Sequence, residues 1–105
     1  MTKVYLSGPI QGIPFPKAQL AFATAACEVA DRLDDTLDII DPTKLPTTCS
    51  CWADYLIRDL MVLKGCDVIA MLPNWQSSPG ARTEHEFAVG CGIKVMELGS
   101  GKEGE

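Results

Sequence analysis

The sequence predicts an α/β protein: a three-layer, flavodoxin- or Rossmann-like parallel sheet of about four strands flanked by helices. Three observations carry that expectation. Strand-length apolar runs alternate with segments of helical period in the order β-α-β-α-β-α-β. "CDVIAML" (66–72) is a near-continuous apolar run, the mark of a strand buried on both faces. Crossovers between such parallel strands are right-handed, which distributes helices over both faces of the sheet.

Each element has its own signal. "KVYLS" (3–7) is a short β-rich run that ends in the Gly/Pro loop "GPIQGIPFP". From Lys17 to about Leu33 the period becomes helical, with Phe22, Ala26, Val29 and Leu33 at spacings of four, three and four. "LDIID" (37–41) reads as a second strand stopped by Pro42, and residues 42–51 as a loop. A second helix is expected from about Cys51 to Gly65, followed by the central strand. "PNWQSSP" is a loop, 80–91 a third helix and "IKVMEL" (93–98) the final strand. Ser78 suits a helix N-cap and Pro79 the first helical position. The expectation is one domain over 1–98 and a loose polar tail over 99–105. There is no internal repeat.

Composition narrows the function. The 105 residues are 47% hydrophobic with a net charge of −5, as in an ordinary globular chain. No basic run or Lys/Arg stripe is present, which argues against nucleic-acid and anionic-membrane binding. No stretch has the apolar length of a membrane span, and "MTKVYLSGPI" does not read as a signal peptide. Five cysteines is an odd count. Cys27, Cys66 and Cys91 fall in expected core elements and read as reduced thiols, which suggests a cytoplasmic protein.

Two carboxylates break the helical pattern. At 100° per residue, Trp52, Tyr55, Leu56, Leu60 and Leu63 share one face of the second helix, and Asp59 sits in the middle of it. Arg58, Asp54 and Lys64 lie off that stripe. On the third helix Glu84 shares a face with Ala81, Phe87, Ala88 and Cys91, while Glu86 and Arg82 point elsewhere. A carboxylate on a buried face is costly unless it is paired or near water. The nearby positive helix end favours the ionised Glu84, and burial opposes it. Two such carboxylates flanking one central strand suggest glycosyl chemistry, in which one attacks an anomeric carbon and the other handles a proton. The structural alternatives are that Asp59 caps a neighbouring backbone or pairs with an arginine, and that Glu84 forms an ion pair with Arg82 or Lys94. His85 is the sole histidine, so no Ser-His-Asp arrangement competes.

In such sheets ligands bind beyond the carboxyl ends of the strands, where three loops (8–16, 42–51 and 73–80) gather. "YLSGPIQGIP" is neither G-x-G-x-x-G nor a Walker motif. Its glycines Gly8 and Gly12 either admit a ligand close to the backbone or serve the turn alone. Trp75, in the third loop, either stacks on a base or packs over the pocket. "CSC" at 49–51 lacks the second ligand pair of a zinc site, so no metal is expected.

Three motifs together resemble the nucleoside 2-deoxyribosyltransferase-like family, and in particular its small bacterial and phage branch, related to 2′-deoxynucleoside 5′-monophosphate N-glycosidases. "VYLSGPIQG" is similar to the family's opening strand and loop. "DLMVLKGCDVIAML" is similar to its helix-to-strand segment, beginning at Asp59. "SSPGARTEHEFA" is similar to its serine–x–glycine–x₃–glutamate–x₃–alanine pattern, with Ser78, Gly80, Glu84 and Ala88; Asp59 and Glu84 lie 25 residues apart. The resemblance covers nearly the whole chain. It implies that Glu84 is the nucleophile, that Asp59 binds the sugar or assists base departure, and that Tyr5 lines the sugar site. It further implies that Gly8, Pro9 and Ser78 surround the sugar and its 5′ substituent; with Ile10, Gln11, Gly80 and the loop residue Trp75 they are the expected binding residues for a nucleoside or nucleotide. No cofactor is needed, and a homodimer or higher homo-oligomer is implied. The sequence departs from the pattern at Gln11, where phosphate-preferring members carry arginine, and at Glu86, where transferases carry a small residue. It also lacks the later segment that in relatives reaches a neighbouring subunit's site. Hydrolysis and transfer both stay open, as does a non-catalytic nucleotide-binding module on the same fold.

Overall fold

The computed structural model describes residues 1–33, 36–45 and 51–99. The order is β1 (Thr2–Ser7), α1 (Phe15–Arg32), β2 (Leu37–Ile40), α2 (Trp52–Leu63), β3 (Val68–Met71), α3 (Pro79–Gly90) and β4 (Lys94–Glu97). Short 3-10 turns at Pro42–Lys44 and Trp75–Ser77 follow β2 and β3. Every element lies within two or three residues of its expected place. The tail beyond Gly99 and the loop around Cys49 fall outside the described residues.

All three strand pairings are parallel, and the sheet order is β2-β1-β3-β4. β1 and β3 are therefore central, and the order reverses between them. At that reversal the two connections leave in opposite directions and open a crevice beyond the strand ends. The ladder between the two central strands ends on Ser7 opposite Met71.

Alternation along β1 sorts the core into two layers. Val4 and Leu6 face α1, packing with Phe22, Ala25 and Val29. Tyr5 faces α2 and α3, packing with Leu63, Ala81 and Ala88. β3 is buried along its length, with Ala70 on the α1 side and Ile69 and Met71 on the other, as the apolar run 66–72 requires. α1 begins at Phe15, two residues before the expected start, because Pro16 lies in the first turn where its missing N–H is harmless. α3 starts as expected: Ser78 Oγ accepts from the Ala81 N–H at 3.2 Å and Pro79 opens the helix.

The cysteine expectation needs correcting. Cys66 is buried, its thiol donating to the Val62 carbonyl at 3.5 Å, but Cys27 and Cys91 are exposed. Cys27 sits one residue past the inward-facing Ala26 stripe. Cys91 is the C-cap of α3, where the chain turns away from the core. Cys27, Cys51, Cys66 and Cys91 are all free thiols.

Candidate functional site

β1 directs Tyr5 and Ser7 to the α2–α3 side because residues two apart share a face. Both side chains end on Glu84. Tyr5 Oη donates to Glu84 Oε2 at 3.0 Å, and Ser7 Oγ donates to Glu84 Oε1 at 2.6 Å. Each carboxylate oxygen thus has its own hydroxyl donor. Glu84 is 6% exposed, Asp59 8%, and Tyr5 and Ser7 are buried with them. Among the described residues no buried side-chain polar atom lacks a partner.

Asp59 comes from α2 and hydrogen-bonds to Glu84, so the two carboxyls form a pair. Arg58, its neighbour in sequence, turns back onto it: Nε and Nη2 both donate to Asp59 Oδ1, at 2.9 and 2.7 Å. The same guanidinium lies 5.1 Å from the centre of the Tyr55 ring. The helical wheel put Arg58 off the apolar stripe, but the length of an arginine side chain lets its head reach round to the next residue. Asp59 therefore has both expected features: an arginine partner and a place beside Glu84. Glu84 does not have the ion pair considered for it. Arg82 turns to the Gln76 carbonyl at 2.7 Å, and Lys94 is exposed on β4.

The electrostatics follow from burial. Loss of water pushes the Glu84 carboxyl up to about 7, and the charge of Asp59 adds to the rise; the Ser7 and Tyr5 hydroxyls work against it. Burial also raises Asp59, with Arg58 opposing. Burial, reinforced by the two carboxylates, raises Tyr5 far above its ordinary value, so it stays a neutral donor. Two like charges in contact in a dry site resist joint ionisation, so the pair holds one proton over a wide pH range.

The pair lies in a cavity of about 780 Å³ at the β1–β3 crevice. Its walls include the opening loop from Gly8 to Ile13, the start of α2, and Ser77 to Ala81 at the start of α3. Gly8, Pro9, Ile10, Gln11, Ser78 and Gly80 all line it, beside Asp59 and Glu84. Gly8 has a packing reason for being glycine: a Cβ there would stand 2.7 Å from Leu72 Cβ. Gly80 leaves the wall beside Trp52 bare, since its missing Cβ would lie 3.9 Å from Trp52 Nε1.

Two sequence-selected site residues are not in the cavity wall: Tyr5, expected to line it, is fully buried behind Glu84, and Trp75 lies elsewhere. Its ring stacks on His85 with centroids 4.5 Å apart, and its Nε1 donates to Glu97 Oε1 at 3.1 Å. Asn74, left-handed at φ 66°, turns the chain just before it. The most exposed aromatic groups at the cavity are Phe15 and Trp52, 47% and 42% exposed, at the first positions of α1 and α2; Phe22 and Tyr55 also line it. Sequence reasoning missed Phe15 and Trp52 in this role, and missed Ser7. The period-2 rule held the signal for Ser7, since Tyr5 had already been assigned to the site. No group of three or more His, Cys, Asp or Glu side chains suited to a metal occurs among the described residues. Cys49 lies outside them. Among the described residues no helix is long and apolar enough to cross a membrane.

Fold and site together define a Rossmann-like α/β protein with a buried acidic pair at the topological switch point. Over residues 2–97 the chain matches the family described as a domain of unknown function, DUF4406, and it belongs to that family. Comparison with curated proteins gives no match.

Proposed function

We propose that this protein cleaves or exchanges the N-glycosidic bond of a deoxynucleoside or its 5′-monophosphate, with Glu84 as nucleophile. One observation carries the reading: a buried glutamate at the crevice, each oxygen bound by a neutral hydroxyl, in contact with a second carboxyl. Contact between the carboxyls suits double displacement, in which no room is needed for a water between them and the sugar. A Glu84 oxygen attacks the anomeric carbon, and the carbon–nitrogen bond breaks with its electron pair going to the base. Asp59, holding the shared proton, delivers it to that nitrogen. The glycosyl ester is then opened by water, or by a second base in transfer. Tyr5 and Ser7 hold the carboxylate in place. Phe15 and Trp52 offer flat apolar surfaces for a base, and the cavity has the size range of small-molecule sites. The reading carries with it a cytoplasmic location and a homodimer or higher homo-oligomer.

The test is incubation with a panel of deoxynucleosides and their monophosphates, with and without an acceptor base, following free base by chromatography. Base release that vanishes in Glu84→Ala supports the assignment. Release retained in that variant removes Glu84 as nucleophile. A nucleotide-binding module without turnover is favoured by one feature: burial keeps Glu84 protonated up to about pH 7, where it is a poor nucleophile. That reading expects saturable binding by calorimetry and no base released.

A further inference from the structure

We propose that Arg58 is a positioning residue that decides which carboxyl of the pair holds the shared proton, keeping Asp59 ionised and the proton on Glu84 in the free protein. The geometry distinguishes the two acids by the charge of their donors. Asp59 Oδ1 receives two guanidinium N–H groups, at 2.9 and 2.7 Å. Besides its bond with Asp59, Glu84 receives neutral hydroxyls among the described residues, from Tyr5 at 3.0 Å and Ser7 at 2.6 Å. Charge-assisted bonds are roughly twice as strong as neutral ones, and they stabilise an anion in proportion. Burial does not reverse the order, because Glu84, at 6% exposure, is no less shielded than Asp59, at 8%.

The groups that set this balance are few. β1 supplies Tyr5 and Ser7, α2 supplies Arg58 and Asp59, and α3 supplies Glu84. Arg58 is the cation among them. Its guanidinium is held in place over Tyr55, so its position is set by packing as well as by charge. In its absence Asp59 loses its charged donors, while the two hydroxyl donors of Glu84 still favour the Glu84 carboxylate. The proton then crosses the hydrogen bond to Asp59.

The inference rests on the catalytic reading for its meaning. Glu84 has to give the proton to Asp59 before it attacks, and Arg58 sets how uphill that transfer is. Its test does not depend on turnover. Carbon-13 NMR titration of the Glu84 and Asp59 side-chain carboxyls is made on wild type, Arg58→Lys and Arg58→Met. In wild type, Asp59 is expected to be ionised while Glu84 is still protonated, with Glu84 titrating at about 7. Arg58→Lys keeps the cation and is expected to keep that order. In Arg58→Met the order is expected to invert, with Asp59 titrating last and at a higher pH than Glu84 does in wild type. Finding Asp59 as the protonated member in wild type overturns the proposal, as does an unchanged order in Arg58→Met. Should Arg58→Met fail to fold, the wild-type order and the lysine variant still decide. Absence of base release, by contrast, would count against the catalytic reading and leave these titrations unaffected.

Discussion

The two faces of the sheet are built for different ends. On the α1 face, Val4, Leu6, Val68, Ala70 and Leu72 meet Phe22, Ala25 and Val29 in a wholly apolar layer. On the opposite face the same two strands present Tyr5, Ile69 and Met71 to Leu63, Ala81 and Ala88, but the layer ends in Ser7, Asp59 and Glu84. Burial on the first face lowers the free energy of folding without dehydrating any charged group. Burial on the second also dehydrates two carboxyls, and that cost is what gives Glu84 its raised proton affinity. Strand alternation alone keeps the two tasks apart, one residue in two along β1.

The comparison can be broken by moving a single group on either face. The largest effect is expected from Glu84→Ala, which should lower base release at least about a thousandfold while leaving the apolar layer packed. Phe22→Ala should act on the packing instead, destabilising the fold by about 3–5 kcal/mol through a cavity in the α1 layer. Urea titration should record that loss. An equal effect of both variants on stability would erase the distinction between the faces.

Next in size is a pH effect confined to the acidic face. The folded Glu84 carboxyl lies near 7 against an ordinary value of 4.5. A raised acid stabilises the fold fully below its unfolded value, and that contribution is lost as pH rises through the folded value. Wild-type stability should therefore fall between about pH 4.5 and 7, by on the order of 3 kcal/mol. Glu84→Gln should remove most of that slope and be the more stable protein at pH 8, as thermal melts across the range would record. The smallest change is at the rim: Ser78→Ala removes the side-chain cap of α3 and should cost about 1 kcal/mol by denaturant titration.

Much of this was legible in the sequence, and for identifiable reasons. The run 66–72 could only be a central strand, since a near-continuous apolar segment of that length needs cover on both sides. The helical wheel put Asp59 and Glu84 on inward faces, because burial follows direction from the helix axis. What escaped were properties that depend on how far a side chain reaches and which way a loop turns. Arg58 folds back along its own helix to Asp59. The left-handed Asn74 precedes Trp75, whose ring lies on His85 away from the crevice. Phe15 and Trp52 line the cavity because two helix starts converge on one strand end, a fact of topology that no local pattern contains.

The hydrogen bonds that define the site join distant parts of the chain: Tyr5 and Ser7 are 79 and 77 positions from Glu84. During synthesis the two hydroxyls emerge early and wait for most of the chain before their acceptor arrives. Local opening of α3 would dissolve the site while β1 still packed against α1. On the proposed reading, ligand capture is a readout of completed long-range order, and a nascent or partly melted molecule is silent by construction.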